Sequence, residues 1–187
     1  MNRRDELLEM LRGCAPADDR EHAHRDAVER LLVSSADPFS RSQYDPGHVT
    51  ASCFVIDSAG RLLLHHHRRL GRWLQMGGHL EADESPAGAA LREAEEESGL
   101  HDLELLGGVF DVDVHSIPAG KGEPDHAHFD VRFLGRTGRP GGIVANRTES
   151  RELAWFHLRD AVRLMNEEAS FRVVRKIQRY LEGVGSV

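Results

Sequence analysis

The stretch from Ser85 to Gly99 constrains this chain more than any other. Ser85-Pro86 is a helix start, an N-cap hydroxyl followed by proline in the first turn. Gly99 is a helix stop, because glycine takes the left-handed backbone that such an ending needs. Between them lie Glu93, Glu95, Glu96 and Glu97, with Arg92 as the one basic residue. At about 100° per residue, Glu93, Glu96 and Glu97 share an arc of about 100°. Ala87, Ala90, Leu91 and Ala94 take the neighbouring arc, small enough to pack closely on a sheet. Like charges three and four residues apart cost a helix about 0.2–0.5 kcal/mol per pair. A solvated face would alternate its signs, and this one does not. Clustered oxygens of this kind suit a hard divalent cation such as magnesium or manganese.

The 187-residue chain has a net charge of −7. Residues 81–97 hold seven acids, Glu81, Asp83, Glu84, Glu93, Glu95, Glu96 and Glu97, against Arg92 alone, a local −6. Phosphates would be repelled from that surface unless a metal intervened, so no nucleic acid is expected as a partner. Apolar residues at 40% and charged ones at 29% describe an ordinary globular protein with its own core. Cys14 and Cys53 form no metal-binding or disulfide cluster and are expected to pack as small hydrophobes. The opening Met1-Asn2-Arg3-Arg4-Asp5-Glu6 has no signal-peptide character, and runs such as Leu62-Leu63-Leu64 are too short to cross a bilayer. A cytoplasmic protein with no membrane partner is the expectation.

Residues 1–46 read as a helical extension and linker. Leu7, Leu8 and Leu11, then Ala27, Val28, Leu31 and Leu32, recur at the helix period. This segment is either a dimer arm or lid, or a helical pair packed on the main domain, which is the preferred reading. A homodimer stays open. Residues 47–187 form the second unit. Strands are expected over 48–57 and 61–67, about the turn Asp57-Ser58-Ala59-Gly60. A loop runs from Arg68 to Asp83, with further strands over 103–115, 127–135 and 142–145 and one ending at Trp155-Phe156. A last helix carries Phe171, Val174, Ile177 and Leu181 on one face, with Arg172, Arg175, Lys176 and Arg179 as a solvated face. The class is α/β.

The spacing is more specific still. Gly78, five residues, Glu84, seven residues, then Arg92-Glu93-Ala94-Glu95-Glu96-Glu97-Ser98-Gly99-Leu100 resembles the Nudix box over residues 78–100. His48-Val49-Thr50-Ala51-Ser52, Trp73 to His79, Asp113 to Pro118 and His126 to Phe133 extend the resemblance, to a bacterial Nudix subgroup, over roughly residues 45–182. Met76 departs from the proline common before the two glycines. The resemblance implies an α/β/α sandwich around a mixed central sheet. It implies a magnesium- or manganese-dependent hydrolase cleaving the diphosphate of a small nucleoside diphosphate derivative. By motif position, Glu93, Glu96, Glu97 and the Gly77 carbonyl hold the metal, and Arg92 and Glu84 orient the carboxylates. Glu93 is the first candidate for general base, with Glu123, Asp125, Asp130 and Glu149 as alternatives.

Alternation gives the rest of the expected site. His126, His128, Asp130 and Arg132 share one face of a strand, and Asp111, Asp113 and His115 one face of another. If the strands pair, these rows form either a substrate wall or a solvent-facing side. On the first reading His79, His128, Asp130 and Arg132 bind substrate, with Arg132 as a bidentate phosphate contact across the cleft from the box helix. If Arg132 turns away, the wall falls to His65–Arg69. Trp73 is read as a core anchor.

Two other functions compete with a hydrolase. An isoprenoid diphosphate isomerase needs a cysteine just before the box, where this chain has Leu74-Gln75-Met76-Gly77. A non-catalytic nucleotide-sensing regulator would be expected to lose box carboxylates, and these are intact. The substrate is not legible: Pro118 lies beyond an ADP-ribose-type position, and the only tyrosines are Tyr44 and Tyr180.

Overall fold

The structure, a computed structural model, describes residues 2–120 and 122–184. In chain order the elements are α1 (Arg3–Gly13), α2 (Asp19–Ser34), β1 (Gly47–Ile56), β2 (Leu62–His67), β3 (Trp73–Leu74), β4 (Met76–His79) and α3 (Pro86–Ser98). Then follow β5 (Glu104–Leu105), β6 (Asp111–Ile117), β7 (His126–Arg136), β8 (Ser150–Phe156), α4 (Leu158–Met165) and α5 (Glu168–Val184). All eight strands join one mixed sheet. β1 and β7 run parallel, from Gly47 opposite Ala127 to Ile56 opposite Arg136, and the other strand pairings are antiparallel. β1 shares its second edge between β4, along Thr50–Cys53, and β2, at Val55 and Ile56.

Alternation along the two long strands decides which layer covers which face. Val49, Ala51, Cys53 and Val55 of β1, with Phe129, Val131 and Phe133 of β7, pack with apolar residues of α1, α2 and α3. Phe54, Ile56 and Leu134 point the other way and pack with Ala161, Met165, Val173, Val174 and Ile177 of α4 and α5. The result is the expected three layers. Leu7, Leu11, Val28, Leu31 and Leu32 belong to the same core as the sheet, so the N-terminal helices are a packed pair rather than a free arm.

α3 forms for the reasons its ends suggest. Ser85 Oγ accepts from the Gly88 amide at 3.1 Å, and Gly99 closes the helix at φ 71°. Ala89, Ala90 and Ala94 let it lie close on β1. Both cysteines are buried, and Trp73 packs edge-on against Phe156 at 4.8 Å.

Several expected elements differ. The segment 68–83 holds β3 and β4, because pairing to β2 and β1 satisfies backbone that a loop would leave open. The expected strand over 103–115 is split into β5 and β6 around Gly107-Gly108. At 142–145 there is no strand but a 3₁₀ turn, Pro140–Gly142, and an irregular loop tied to the end of α3 by the Val144 amide on the Ser98 carbonyl at 2.7 Å. Phe171 is 53% exposed, while Val173, Val174 and Ile177 carry the buried face of α5.

The largest departure is Arg172, expected in solvent and in fact buried. Its guanidinium donates to Asp111 at 2.8 and 3.0 Å and to the Val112 carbonyl at 3.1 Å. Lys176, one turn on, donates to the buried Glu21 of α2 at 2.5 Å. A solvated face was inferred from charge alone. Acids on α2 and β6, distant in sequence, turn it into an interior ion network.

Candidate active site

The face of β1 and β7 that carries Phe54, Ile56 and Leu134 changes character toward the strands' N-terminal ends. There it presents His48, Thr50 and Ser52 from β1 beside His128 and Asp130 from β7. Thr50, Ser52, His128 and Asp130 of this half line a cleft of about 760 Å³. The same cleft is lined by Gly77, Gly78 and His79 of the neighbouring β4, by Arg92 and Glu93 of α3, and by His65, His67, Arg69 and Glu149.

The carboxylates are graded across the helix rather than equivalent. Glu97 is buried, its Oε2 accepting from the Gly77 amide at 3.0 Å. Burial, the Glu149 carboxyl beside it and nearby Glu93 push its pKa from 4.5 up to about 9. Its salt-bridge contact among the described residues is His65 at 3.6 Å, and burial lowers that ring to about 4, leaving it neutral near pH 7. Glu93 is half-buried, and burial likewise raises its pKa. Glu96 lies outside the cleft walls, its side chain 56% exposed and 3.5 Å from Arg92.

Arg92 and Glu84 form a clamp. Arg92 Nε and Nη2 each donate to Glu84 at 2.9 Å, Nη1 donates to Glu93 at 2.9 Å, and Nη2 reaches the His79 carbonyl at 3.0 Å. The paired carboxylates raise the Arg92 pKa, so its charge is permanent. Arg92 thus fixes Glu93, while Glu84 fixes Arg92. A Cβ at Gly78 would stand 2.6 Å from Glu93 Oε1, so any other residue there would push the Glu93 carboxylate out of this position.

The second row corrects one expectation. His79, His128 and Asp130 line the cleft, but Arg132 does not. It shares their strand parity yet lies further along β7, where α5 has begun to cover the sheet. It is buried, with Nε on Asp130 at 2.8 Å, Nη2 on Asp113 at 3.0 Å and Nη1 on Asp111 at 3.3 Å. Its donors are consumed, so it is no phosphate contact. Parity gives the face of a strand, not the point where a covering helix begins. Asp130 also accepts from Thr50 Oγ1 at 3.2 Å and Ser52 Oγ at 2.9 Å, which leaves it a fixed part of the floor rather than a free base. Asp113 is held low: burial opposes ionisation, but a hydrogen bond from His115 and the Arg132 charge overcome it.

The NUDIX domain family model matches residues 46–177. The chain belongs to the Nudix family. That makes it a diphosphate hydrolase, acting on acid anhydrides. It is 27% identical over 132 residues to a Lactococcus lactis protein described as "Probable DHNTP pyrophosphohydrolase", covering 70% of this chain and 77% of that one. In structure it resembles an Ap4A hydrolase from C. elegans, with a TM-score of 0.60 at 20% identity, over 72% of this chain and 98% of that one. It also resembles the E. coli dihydroneopterin triphosphate pyrophosphohydrolase, with a TM-score of 0.57 at 18% identity, over 68% and 92%. At such identities these two likenesses speak for the Nudix fold alone. No helix among the described residues is long and apolar enough to cross a membrane.

Sequence reasoning passed over Thr50, Ser52 and Arg41 as parts of this Nudix cleft, and His48 as the buried neighbour of its histidines. His48, Thr50 and Ser52 have the parity of His128 and Asp130, but only the parallel β1–β7 pairing puts the rows side by side. Glu149 reaches the carboxylates because the Arg68 amide binds its carbonyl at 2.7 Å and the Asn146 amide binds that of Glu97 at 3.4 Å.

The raised Glu97 pKa has a measurable consequence in the metal-free protein. The protonated form is favoured by the fold, so its contribution is complete below pH 4.5 and is lost as pH rises to about 9. Glu97→Gln keeps the shape and the acceptor for the Gly77 amide. It should therefore flatten this decline and melt no lower than the parent at pH 8 without metal. Melting curves across that range check it; a glutamine variant melting far below the parent would make the carboxylate structural.

Proposed function

We propose that this chain hydrolyses the diphosphate linkage of a small nucleoside diphosphate derivative, using magnesium or manganese held by Glu93 and Glu97, with the Gly77 carbonyl and Glu96 completing the shell. The observation that carries this reading is Glu97: a buried carboxyl group that the metal-free fold holds protonated, beside a neutral histidine, and whose ionised form has no cationic partner among the salt bridges of the described residues. Such a group calls for a cation. The donors are oxygens, as a hard ion requires. When bound, the ion supplies positive charge against the diphosphate oxygens and makes the attacking water more acidic.

The chain's own residues do the rest. Arg92 holds Glu93 in one orientation, and Glu84 holds Arg92. Burial raises Glu93 toward the range where a carboxylate accepts protons effectively. Glu149 is the second candidate for proton acceptor, since it lines the cleft next to Glu97. Glu123 lines the cleft too, but in a salt bridge with Arg41 at 3.2 Å. Arg41, Arg69 and His67 line the same cleft and are the phosphate contacts in place of Arg132. His79 and His128 form the wall against the remainder of the substrate.

The relatives' names specify dihydroneopterin triphosphate and Ap4A, both small molecules with phosphoanhydride bonds. The test is a panel of nucleoside triphosphates, nucleotide sugars, ADP-ribose, dinucleoside polyphosphates and dihydroneopterin triphosphate, assayed with each metal. Chelation is expected to abolish hydrolysis, and magnesium or manganese to restore it. Full activity in excess chelator would overturn the reading.

A further inference from the structure

We propose that the cleft carries a second metal site, built from His48, His126 and His128, for a borderline transition ion of the zinc class. One ligand atom from each of the three lies within 4.8 Å of the other two. His48 and His128 are register partners on the parallel strands, and His126 precedes His128 by two residues on the same face. The ring centroids stand 4.9–5.2 Å apart.

Two of the rings are already prepared as ligands. His48 Nδ1 lies 3.0 Å from the Gln43 carbonyl, and His126 Nδ1 lies 2.9 Å from the Pro124 carbonyl. A carbonyl only accepts, so each Nδ1 carries the hydrogen and each Nε2 carries a lone pair. This backbone anchoring of the far nitrogen is the arrangement that orients histidine ligands in metal sites. His48 supplies a second, independent observation. It is 1% exposed, and its Nε2 is buried with no hydrogen-bond partner. A lone pair shut away from water beside two other imidazoles has no use in the bare fold.

The donor set selects the ion. Three imidazoles suit zinc, nickel or copper and suit magnesium poorly, since magnesium asks for oxygen. Tetrahedral zinc with bonds of about 2.0–2.1 Å needs nitrogens about 3.3 Å apart, so the three rings must draw together when the ion binds. His79 stands beside the three, its ring centroid 5.0 Å from that of His48 and 5.1 Å from that of His128. His79, His126 and His128 all line the cleft, so a bound ion would be within reach of a water or a substrate atom as fourth ligand. One cleft would then hold a hard-ion site on α3 and a nitrogen site on the sheet. This inference goes beyond the proposed hydrolysis, and its readout does not require turnover.

The test is calorimetric titration of the chelator-stripped full chain with zinc in excess magnesium. The expected result is one zinc per chain that magnesium does not displace. Affinity should fall at least about tenfold in His126→Gln and in His128→Gln, and should be unchanged in Glu93→Gln. Melting of each metal-free variant separates lost ligation from lost fold. Cobalt in place of zinc on the parent chain gives a reading free of any variant: intense visible absorption marks a nitrogen-ligated four-coordinate site. Displacement of zinc by magnesium, loss of zinc in Glu93→Gln with retention in the histidine variants, or only the weak cobalt bands of an octahedral oxygen site would each overturn the proposal.

Discussion

Glu93→Gln is expected to lower kcat by at least about a hundredfold, with the fold and melting temperature close to the parent's. The amide has the same shape and still accepts from Arg92 Nη1, which stands 2.9 Å from Glu93 Oε1. What it removes is the charge, and with it both the attraction for a divalent ion and the capacity to take a proton. The side chain is only half-buried, so loss of its charge does not open a cavity or strand a partner in the interior. Arg92 remains paired with Glu84. Steady-state kinetics at saturating metal on the best substrate decide the matter. A variant that keeps more than about a tenth of kcat would remove Glu93 from the chemistry and move the proton-acceptor role to Glu149.

Asp111→Ala carries the largest expected loss of stability, about 3–5 kcal/mol. Asp111 is fully buried and accepts from two arginines, Arg172 at 2.8 and 3.0 Å and Arg132 at 3.3 Å. Removing it leaves two buried guanidinium groups short of a counter-charge, in a place water does not reach. The penalty is that of stranding cations, not merely of losing hydrogen bonds. A fall in melting temperature on the order of 10 °C is expected, with a matching shift of the urea midpoint. A loss below about 1 kcal/mol would mean that the arginines find other partners or reach solvent.

These two residues differ sharply in how far they could be read from the chain. Glu93 was legible because α3 is local: its cap, its glycine stop and its carboxylate arc all lie within fifteen residues. Local pattern also gave β1, β2, β7, the N-terminal helices and the polar parity of His128 and Asp130. Asp111 was legible only as one polar position on a strand. Its role depends on α5, some 60 residues away, whose Arg172 looks like any surface arginine until the acid of another element is set against it. The same gap explains Arg132. Its residue type and parity suited phosphate, but the aspartates that consume its donors come partly from β6. His48 shows the converse: an unremarkable strand position became part of a cluster through a parallel pairing that spans 80 residues.

The contact between Glu21 and Lys176 also bears on how the protein is made. The two residues are 155 positions apart, yet Glu21 is fully buried and its pKa is raised chiefly by that burial. At about 5–20 residues per second, Lys176 is synthesised roughly 8–30 s after Glu21. Until then the carboxylate of α2 has no lysine to meet it and favours water over the interior. Burial of that acid with its lysine therefore joins α2 to an element made long after it, and the α2–α5 contact cannot form co-translationally before α5 is out.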